Sequence, residues 1–293
     1  MQHILEFVKA TGAGNDFVIL DGRNESLPPD KAKLAASLCD RHFGIGADGL
    51  LIVEKSTRAD FSMLYFNADG SHGGMCGNGG RCIAMYAYLR GFAPRLMKFE
   101  ALDHIYPAEI LDGRVKLRMK RPSGLRNNLE VSVGGKTYVC DFVDTGAPHV
   151  VLLQDHIDQA DIKGVGRSIR EHERFAPAGT NVNFMSITPP DAISIRTYER
   201  GVEDETLACG TGSVASAVVA ATTLNIQSPV KVRVRSGELL YVHLRIDGGT
   251  ITEVYLEGNA AMLFSGRALY DDISGKLLTT LNHSESSMMG PRN

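Results

Sequence analysis

The sequence predicts an α/β (α+β) fold in two similar halves, each a mixed β-sheet wrapped around one central helix. The first observation behind this is an internal repeat. Thr11-Gly12-Ala13 returns as Thr145-Gly146-Ala147 at an offset of 134, and Cys76-Gly77-Asn78-Gly79 returns as Cys209-Gly210-Thr211-Gly212 at an offset of 133. The second is a pair of strand-like runs, Phe61 to Phe66 and Ile193 to Tyr198, separated by 132 residues, each entering a polar loop that leads to the Cys-Gly signature. The third is a pair of helical segments that follow the signatures. Each match is short and glycine is abundant, but three ordered markers at nearly one offset make duplication a better account than chance.

In chain order, period-2 and β-rich runs predict strands at Leu5 to Val8, Phe17 to Leu20, Gly49 to Val53, Phe61 to Phe66 and Val115 to Met119. The second half adds Val150 to Leu153, Asn183 to Ile187 and Ile193 to Tyr198. Helices are predicted over Asn78 to Arg90 and Thr211 to Leu224. The second is small and apolar around most of its circumference, which marks a buried helix. The Arg121-Pro122-Ser123-Gly124 turn is the expected boundary. The expected division is residues 1–121 plus about 266–281 in one half and 122–265 in the other, with a disordered tail at 282–293.

Composition narrows the function classes. The chain has 293 residues, 43% hydrophobic and 22% charged, which suits two mid-sized domains with an interdomain cleft rather than a disordered chain. A formal charge of -3, with no basic stripe interleaved with aromatics, disfavours a nucleic-acid partner. Met1 to Val8 alternates like a strand, and no stretch reaches membrane-spanning length, so a cytoplasmic enzyme is the expectation. Five cysteines, without a Cys-x-x-Cys pair, suggest neither a disulfide scaffold nor a zinc site.

The chemistry points to Cys76 and Cys209. Each immediately precedes Gly-x-Gly at a helix start, where unpartnered N–H groups and the positive end of the helix dipole favour anions. Such a site can seat a carboxylate on the amides and favour a thiolate over a thiol. If a pseudo-twofold axis relates the halves, the two sulfurs flank one bound carboxylate from opposite sides. Stereoinversion needs that arrangement: one thiolate removes an α-proton and one thiol returns a proton to the opposite face. Cys39, Cys82 and Cys140 lack the glycine context and read as small buried hydrophobes.

The residues then carry a resemblance. Gly12-Ala13-Gly14-Asn15-Asp16-Phe17, the block from Cys39 to Gly49, Phe66-Asn67-Ala68-Asp69-Gly70-Ser71 and Met75-Cys76-Gly77-Asn78-Gly79 occur in that order. They are followed by Gly179-Thr180-Asn181-Val182-Asn183-Phe184, Tyr198-Glu199-Arg200-Gly201 and Thr206-Leu207-Ala208-Cys209-Gly210-Thr211-Gly212. This set resembles the diaminopimelate epimerase family over nearly the whole chain. The resemblance implies two barrel-like domains with the active site in the cleft between them. It also implies interconversion of LL- and meso-2,6-diaminopimelate, on the route to lysine and peptidoglycan, with neither pyridoxal phosphate nor metal.

By the same resemblance, Cys76 and Cys209 are the acid/base pair, and the amides of Gly77, Asn78, Gly210 and Thr211 hold the carboxylate at the reacting centre. Arg200 is implied for the distal carboxylate, Glu199 for the second ammonium, and Asn15, Asn67 and Asn181 for further hydrogen bonds. His149 is implied as a supporting residue near the thiols, although a structural histidine is a comparable reading. A homodimer is a further implication.

Two departures stand out. Ala147 replaces the asparagine of the family's Gly-Asn-Pro-His, which removes an amide expected at the distal carboxylate, and Ser71-His72-Gly73-Gly74 replaces an acidic pattern. Three other readings remain at this stage. They are a cofactor-independent racemase of another amino acid, a thiol hydrolase with Cys209 activated by His149, and a redox-sensing cysteine pair.

Overall fold

The computed structural model describes residues 1–24, 26–188 and 191–278. The expected tail at 282–293 and the end of the 266–281 segment lie outside the described residues. In the first half, β1 (Gln2–Gly12), β2 (Asn15–Asp21), α1 (Lys31–Cys39), β3 (Gly49–Glu54) and β4 (Phe61–Asn67) lead to α2 (Gly77–Leu89). Then come β5 (Leu96–Ala101), β6 (His104–Ile110) and β7 (Arg114–Arg118). The second half opens with β8 (Ser123–Val133), β9 (Lys136–Asp144), β10 (Pro148–Leu153), α3 (Ile162–Arg170), β11 (Asn181–Thr188), β12 (Ala192–Glu199) and β13 (Asp204–Thr206). It continues through α4 (Gly210–Thr223), β14 (Val230–Arg233), β15 (Leu239–Asp247) and β16 (Thr250–Asn259); β17 (Ala261–Asp271) and β18 (Lys276–Leu277) follow.

Strand pairing repeats the internal duplication. From β1 to β7 each strand pairs with the next, in the order antiparallel, parallel, antiparallel, parallel, antiparallel, antiparallel. From β9 to β16, passing over the short β13, the sequence of pairings is the same. The equivalent strands β7 and β16 then pair antiparallel with each other, with Leu117 opposite Leu256, and join the two sheets. An antiparallel pair of equivalent strands is what a local twofold relation between the halves requires.

Each sheet curls around its helix. Among the described residues, α2 packs on β1 to β4, β6, β7, β16 and β17, and α4 on β9 to β12 and β14 to β16, so β16 touches both. Strand β3 shows how the sequence enforces this. Leu51 and Val53 face the core around α2, whereas Leu50 and Ile52 face a second apolar cluster beneath α1. A strand covered on both faces reads as a continuous apolar run, and each of these buried side chains contributes about 1.5–3 kcal/mol. The same split occurs in β11, where Met185 joins the core around α4 while Val182 and Phe184 join the cluster that holds Ile162 and Ile169 of α3.

The predicted strands and both helices are present, but the segment expected as a turn at Arg121–Gly124 is different. Ser123 and Gly124 already belong to β8, with a register shift between Ser123 and Arg126 and a φ of 63° at Gly124. The residue before a proline is biased toward extended backbone, so Arg121-Pro122 leads straight into the strand. β17 starts at Ala261, opposite Thr11, and runs along β1 to Asp271, so the return near 266 falls inside this strand. Among the described residues no helix is long and apolar enough to cross a membrane.

Candidate active site

Cys76 and Cys209 are the N-cap residues of α2 and α4. Both have extended backbone, with φ/ψ of −98°/119° and −113°/113°. Each sulfur accepts the N–H three residues on, from Gly79 and Gly212, at 3.4 Å. This is the geometry an N-cap serine uses, with sulfur in place of oxygen. The N–H groups of Gly77, Asn78, Gly210 and Thr211 fall in the first turns, where a helix supplies no backbone acceptor.

The two helix starts nearly touch. A Cβ on Gly210 would lie 3.5 Å from the Gly77 Cα, and a Cβ on either glycine would lie 3.1 Å from Leu256 Cδ2 of the shared strand β16. A side chain at either position would press on Leu256. Both cysteines, Gly77, Asn78, Gly210 and Thr211 line one cavity of ≈ 170 Å³, together with Asn15, Tyr65, Asn67 and Glu199. It continues into two outer clefts. One, of ≈ 690 Å³, is lined by Asn67, Asp48 and Arg200, and the other, of ≈ 440 Å³, by Ala147, Asn181, Lys120 and Arg200.

The electrostatics depart from the sequence expectation. Helix-start cysteines are expected to ionise more readily, but burial pushes the Cys76 thiol up, against the lowering effect of the Gly79 N–H. Burial likewise raises Cys209, with the neighbouring Glu199 charge adding to the effect. Loss of hydration outweighs the helix amides here. Burial also raises Glu199, which accepts a hydrogen bond from the Thr206 hydroxyl at 2.9 Å.

Several predicted polar residues brace the site through hydrogen bonds within the protein. Asn15 Nδ2 donates to Asp48 at 3.0 Å, and its Oδ1 accepts from Asn78 Nδ2. Asn181 Nδ2 donates to the Pro148 carbonyl at 3.0 Å, and its Oδ1 accepts the Arg200 N–H at 2.9 Å. Arg200 Nη1 donates to the Ala178 carbonyl at 2.9 Å. Asn67 Nδ2 donates to Ser71 Oγ at 2.9 Å, and its Oδ1 has no partner among the described residues.

His149 is fully buried on β10, outside the residues that line these cavities, and burial followed by the Arg200 charge lowers its pKa to about 3. Its Nδ1 lies 3.2 Å from Asn183 Nδ2, an amide that can only donate, so the ring proton sits on Nε2, which has no partner among the described residues. The ring is therefore neutral. Among the described residues the partners of the Cys209 sulfur are Gly212 and Thr211.

The sequence model of diaminopimelate epimerase matches residues 7–124 and 142–263, one segment on each Cys-Gly helix start. The chain belongs to the diaminopimelate epimerase family. A diaminopimelate epimerase of Chlorobaculum tepidum is 45% identical over 87% of this chain and 98% of its own length. Those of Hydrogenobaculum and Archaeoglobus fulgidus are 42% and 39% identical over 90% and 89% of this chain and 98% and 95% of their own.

Solved structures similar in fold include a PhzF-family phenazine biosynthesis protein of Bacillus anthracis, with a TM-score of 0.71 at 15% identity, covering 90% of this chain and 99% of that one. A hydroxyproline epimerase of Agrobacterium vitis has a TM-score of 0.69 at 14% identity, covering 93% and 94%. As a member of the diaminopimelate epimerase family the chain is an isomerase.

Sequence reading missed Tyr65, Arg81 and Asp48. Tyr65 lies two residues before Asn67 on β4, and strand alternation alone puts the two on one face. Arg81 is wholly buried one turn into α2 and braces Asn78 at 2.9 Å. Its only sequence signal is a charge on a helix otherwise apolar after its first turn. Asp48 holds Asn15 and is bridged by Arg41 at 2.6 Å, a contact that no local pattern announces.

Proposed function

We propose that the chain interconverts LL- and meso-2,6-diaminopimelate by proton transfer between its two thiols. The observation that carries this reading is the pair of cysteine N-caps on two adjoining helix starts that line one cavity. A carboxylate on the first-turn amides holds the α-carbon between the sulfurs. One sulfur, as thiolate, takes the α-proton, and the electron pair left on carbon is stabilised by the amides that hold the carboxylate. The other sulfur, as thiol, delivers its proton to the opposite face, and the roles exchange in the reverse direction. Every proton-transferring group comes from the chain itself.

Raised thiol pKa values fit a protein that keeps both cysteines protonated until substrate is bound. Glu199, whose neighbouring charge adds to the raising of Cys209, is assigned to the second ammonium. Arg200 is assigned to the distal carboxylate, with Asn181 holding its backbone. The division into 1–121 with about 266–281, and 122–265, underlies this scheme, one cysteine to each half. A cytoplasmic homodimer completes the reading.

The experiment is proton NMR of the reduced protein with LL-diaminopimelate in deuterium oxide, without added cofactor and with lysine and glutamate as controls. Deuterium at the α-position of diaminopimelate alone, with meso product, is expected. Exchange into a control amino acid would keep the thiol chemistry and overturn the substrate; no exchange would overturn both.

A further inference from the structure

Tyr65 has a seat made for it. On β4 its ring lies between Gly49 of β3 and Gly73 of the loop before α2. A Cβ on Gly49 would come within 2.5 Å of the Tyr65 Cε2 and 2.6 Å of the Phe66 carbonyl, and a Cβ on Gly73 would overlap the ring at Cδ1. The Gly73 N–H also donates to the Tyr65 carbonyl at 2.8 Å, which pins the loop to the strand. Phe17 meets the ring edge-on, with centroids 6.1 Å apart and planes at 75°. Contacts from three sides hold the ring, and the hydroxyl it carries, in place.

Tyr65 lines both the catalytic cavity and the larger cleft beside it, along with Asn67, Glu199, Asn15 and Cys76. The acceptor inventory at this junction is rich. Asn67 Oδ1 has no partner among the described residues, the Glu199 carboxylate keeps lone pairs beyond the one used by Thr206, and no hydrogen bond engages the Tyr65 hydroxyl among those residues. Asn15 has both ends of its amide occupied. A primary ammonium has three N–H donors and no acceptor, and three acceptors of this kind match it. Burial, and then the charges of Cys76, Asp48 and Glu199, push the Tyr65 phenol up, so it stays protonated beside acidic groups whose potential favours a cation.

We propose that Tyr65 is a specificity-determining residue whose oxygen accepts a hydrogen bond from the second, non-reacting ammonium of the substrate, alongside Asn67 and Glu199. The inference rests on the epimerase reading above and extends it to one atom. A substrate lacking the second amino group loses this contact and leaves three acceptors facing the cleft unsatisfied, which is how a polar subsite rejects a truncated analogue.

The test is Tyr65→Phe, which keeps the ring in its seat and removes only the hydroxyl. With LL-diaminopimelate, KM is expected to rise about tenfold while kcat changes by less than about threefold, the signature of lost ground-state binding. As a competitive inhibitor, 2-aminopimelate, which lacks the second amino group, should show an inhibition constant within about twofold of wild type. An unchanged KM overturns the proposal. So does a fall in kcat matching that in kcat/KM, which would place Tyr65 at the reacting centre, and so does an equal loss for 2-aminopimelate, which would place its contact on the part of the ligand both molecules share. A wild-type protein that leaves diaminopimelate unexchanged would instead fail the underlying reading, before any variant is compared.

Discussion

Arg81 Nη2 donates to Asn78 Oδ1 at 2.9 Å, and this bond decides which way the Asn78 amide faces. With its oxygen held, the Asn78 nitrogen is directed to Asn15 and to the Ala208 carbonyl, 3.4 Å away beside Cys209. Arg81 itself is wholly buried and also donates to the Gly77 and Asn259 carbonyls at 3.3 and 3.5 Å, so one guanidinium ties the start of α2 to the end of β16. Arg81→Lys keeps the charge and loses the fork. At least about a tenfold fall in kcat/KM is expected, since a charge-assisted hydrogen bond is lost at the carboxylate seat. Steady-state kinetics on folded protein decide it, and wild-type kcat/KM in the variant would show that the Asn78 orientation is dispensable.

Cys76→Ala and Cys209→Ala should each abolish epimerisation alone. One thiol cannot serve both faces of the α-carbon, and losing a positioned acid or base costs about 10²–10⁴-fold. Appearance of meso product from the LL isomer, followed by optical rotation or NMR, is the readout. Near-normal turnover in either variant excludes the two-thiol scheme.

The pH profile follows from burial. Cys76 and Cys209 are both raised, first by desolvation, and the basic sulfur must be ionised to act. A raised pKa moves the activating ionisation to higher pH, so kcat/KM should still be climbing through the ordinary thiol range of about 8–9. A plateau reached below about pH 7 would mean that the thiolate is already formed in the free enzyme, as helix dipoles alone would predict.

What the sequence made legible, and what it did not, divides along physical lines. The cysteine N-caps were readable because a residue before Gly-x-Gly at the head of an apolar run meets a helix start in any fold, and the repeat made them a pair. The strands of β3 and β4 were readable from period and β-propensity. The β8–β9 hairpin escaped: β8 is exposed along most of its length and carries a non-glycine positive φ at Asn128, so its pattern lacks an apolar face. Helices α1 and α3 are nine residues each, too short for periodicity to stand out. The burial that raises both thiols was not legible, because helix position is local and sequence shows it, whereas desolvation is set by tertiary packing. Asn15 and Asn181 were identified as site residues, but only the structure shows their amides engaged by Asp48, Asn78, Pro148 and the Arg200 backbone.

The structural cysteines should make the fold sensitive to alkali. Burial raises Cys39 and Cys82 to about 12 and Cys140 to about 11. In the unfolded chain these thiols release their protons near pH 8.5, so above that pH the folded state holds more protons and stability falls as pH rises. The contribution is fully present below the unfolded pKa and is progressively lost above it. Thermal unfolding between about pH 7 and 10 should show Tm dropping. Cys82→Ala, which removes one such group, should flatten the drop; an identical slope in the variant would assign the alkaline loss to other groups.

Arg200→Lys tests the distal end. Among the described residues Arg200 is held by two bonds that leave the rest of its fork free: its backbone N–H goes to Asn181 Oδ1 and its Nη1 to the Ala178 carbonyl, both at 2.9 Å. It borders both outer clefts, in one of which Ala147 offers no side-chain amide. With that amide missing, more of the distal carboxylate's binding falls on the guanidinium. A lysine keeps the charge but presents a single ammonium on a flexible stem, and it cannot hold Ala178 while pairing bidentately with a carboxylate. KM for diaminopimelate should rise by at least about tenfold with a smaller change in kcat, because the lost contact is made equally in ground and transition states. If KM and kcat are both unchanged, Arg200 does not touch the substrate, and recognition of the distal carboxylate would have to come from another cation that lines the Ala147 cleft, of which Lys120 is one.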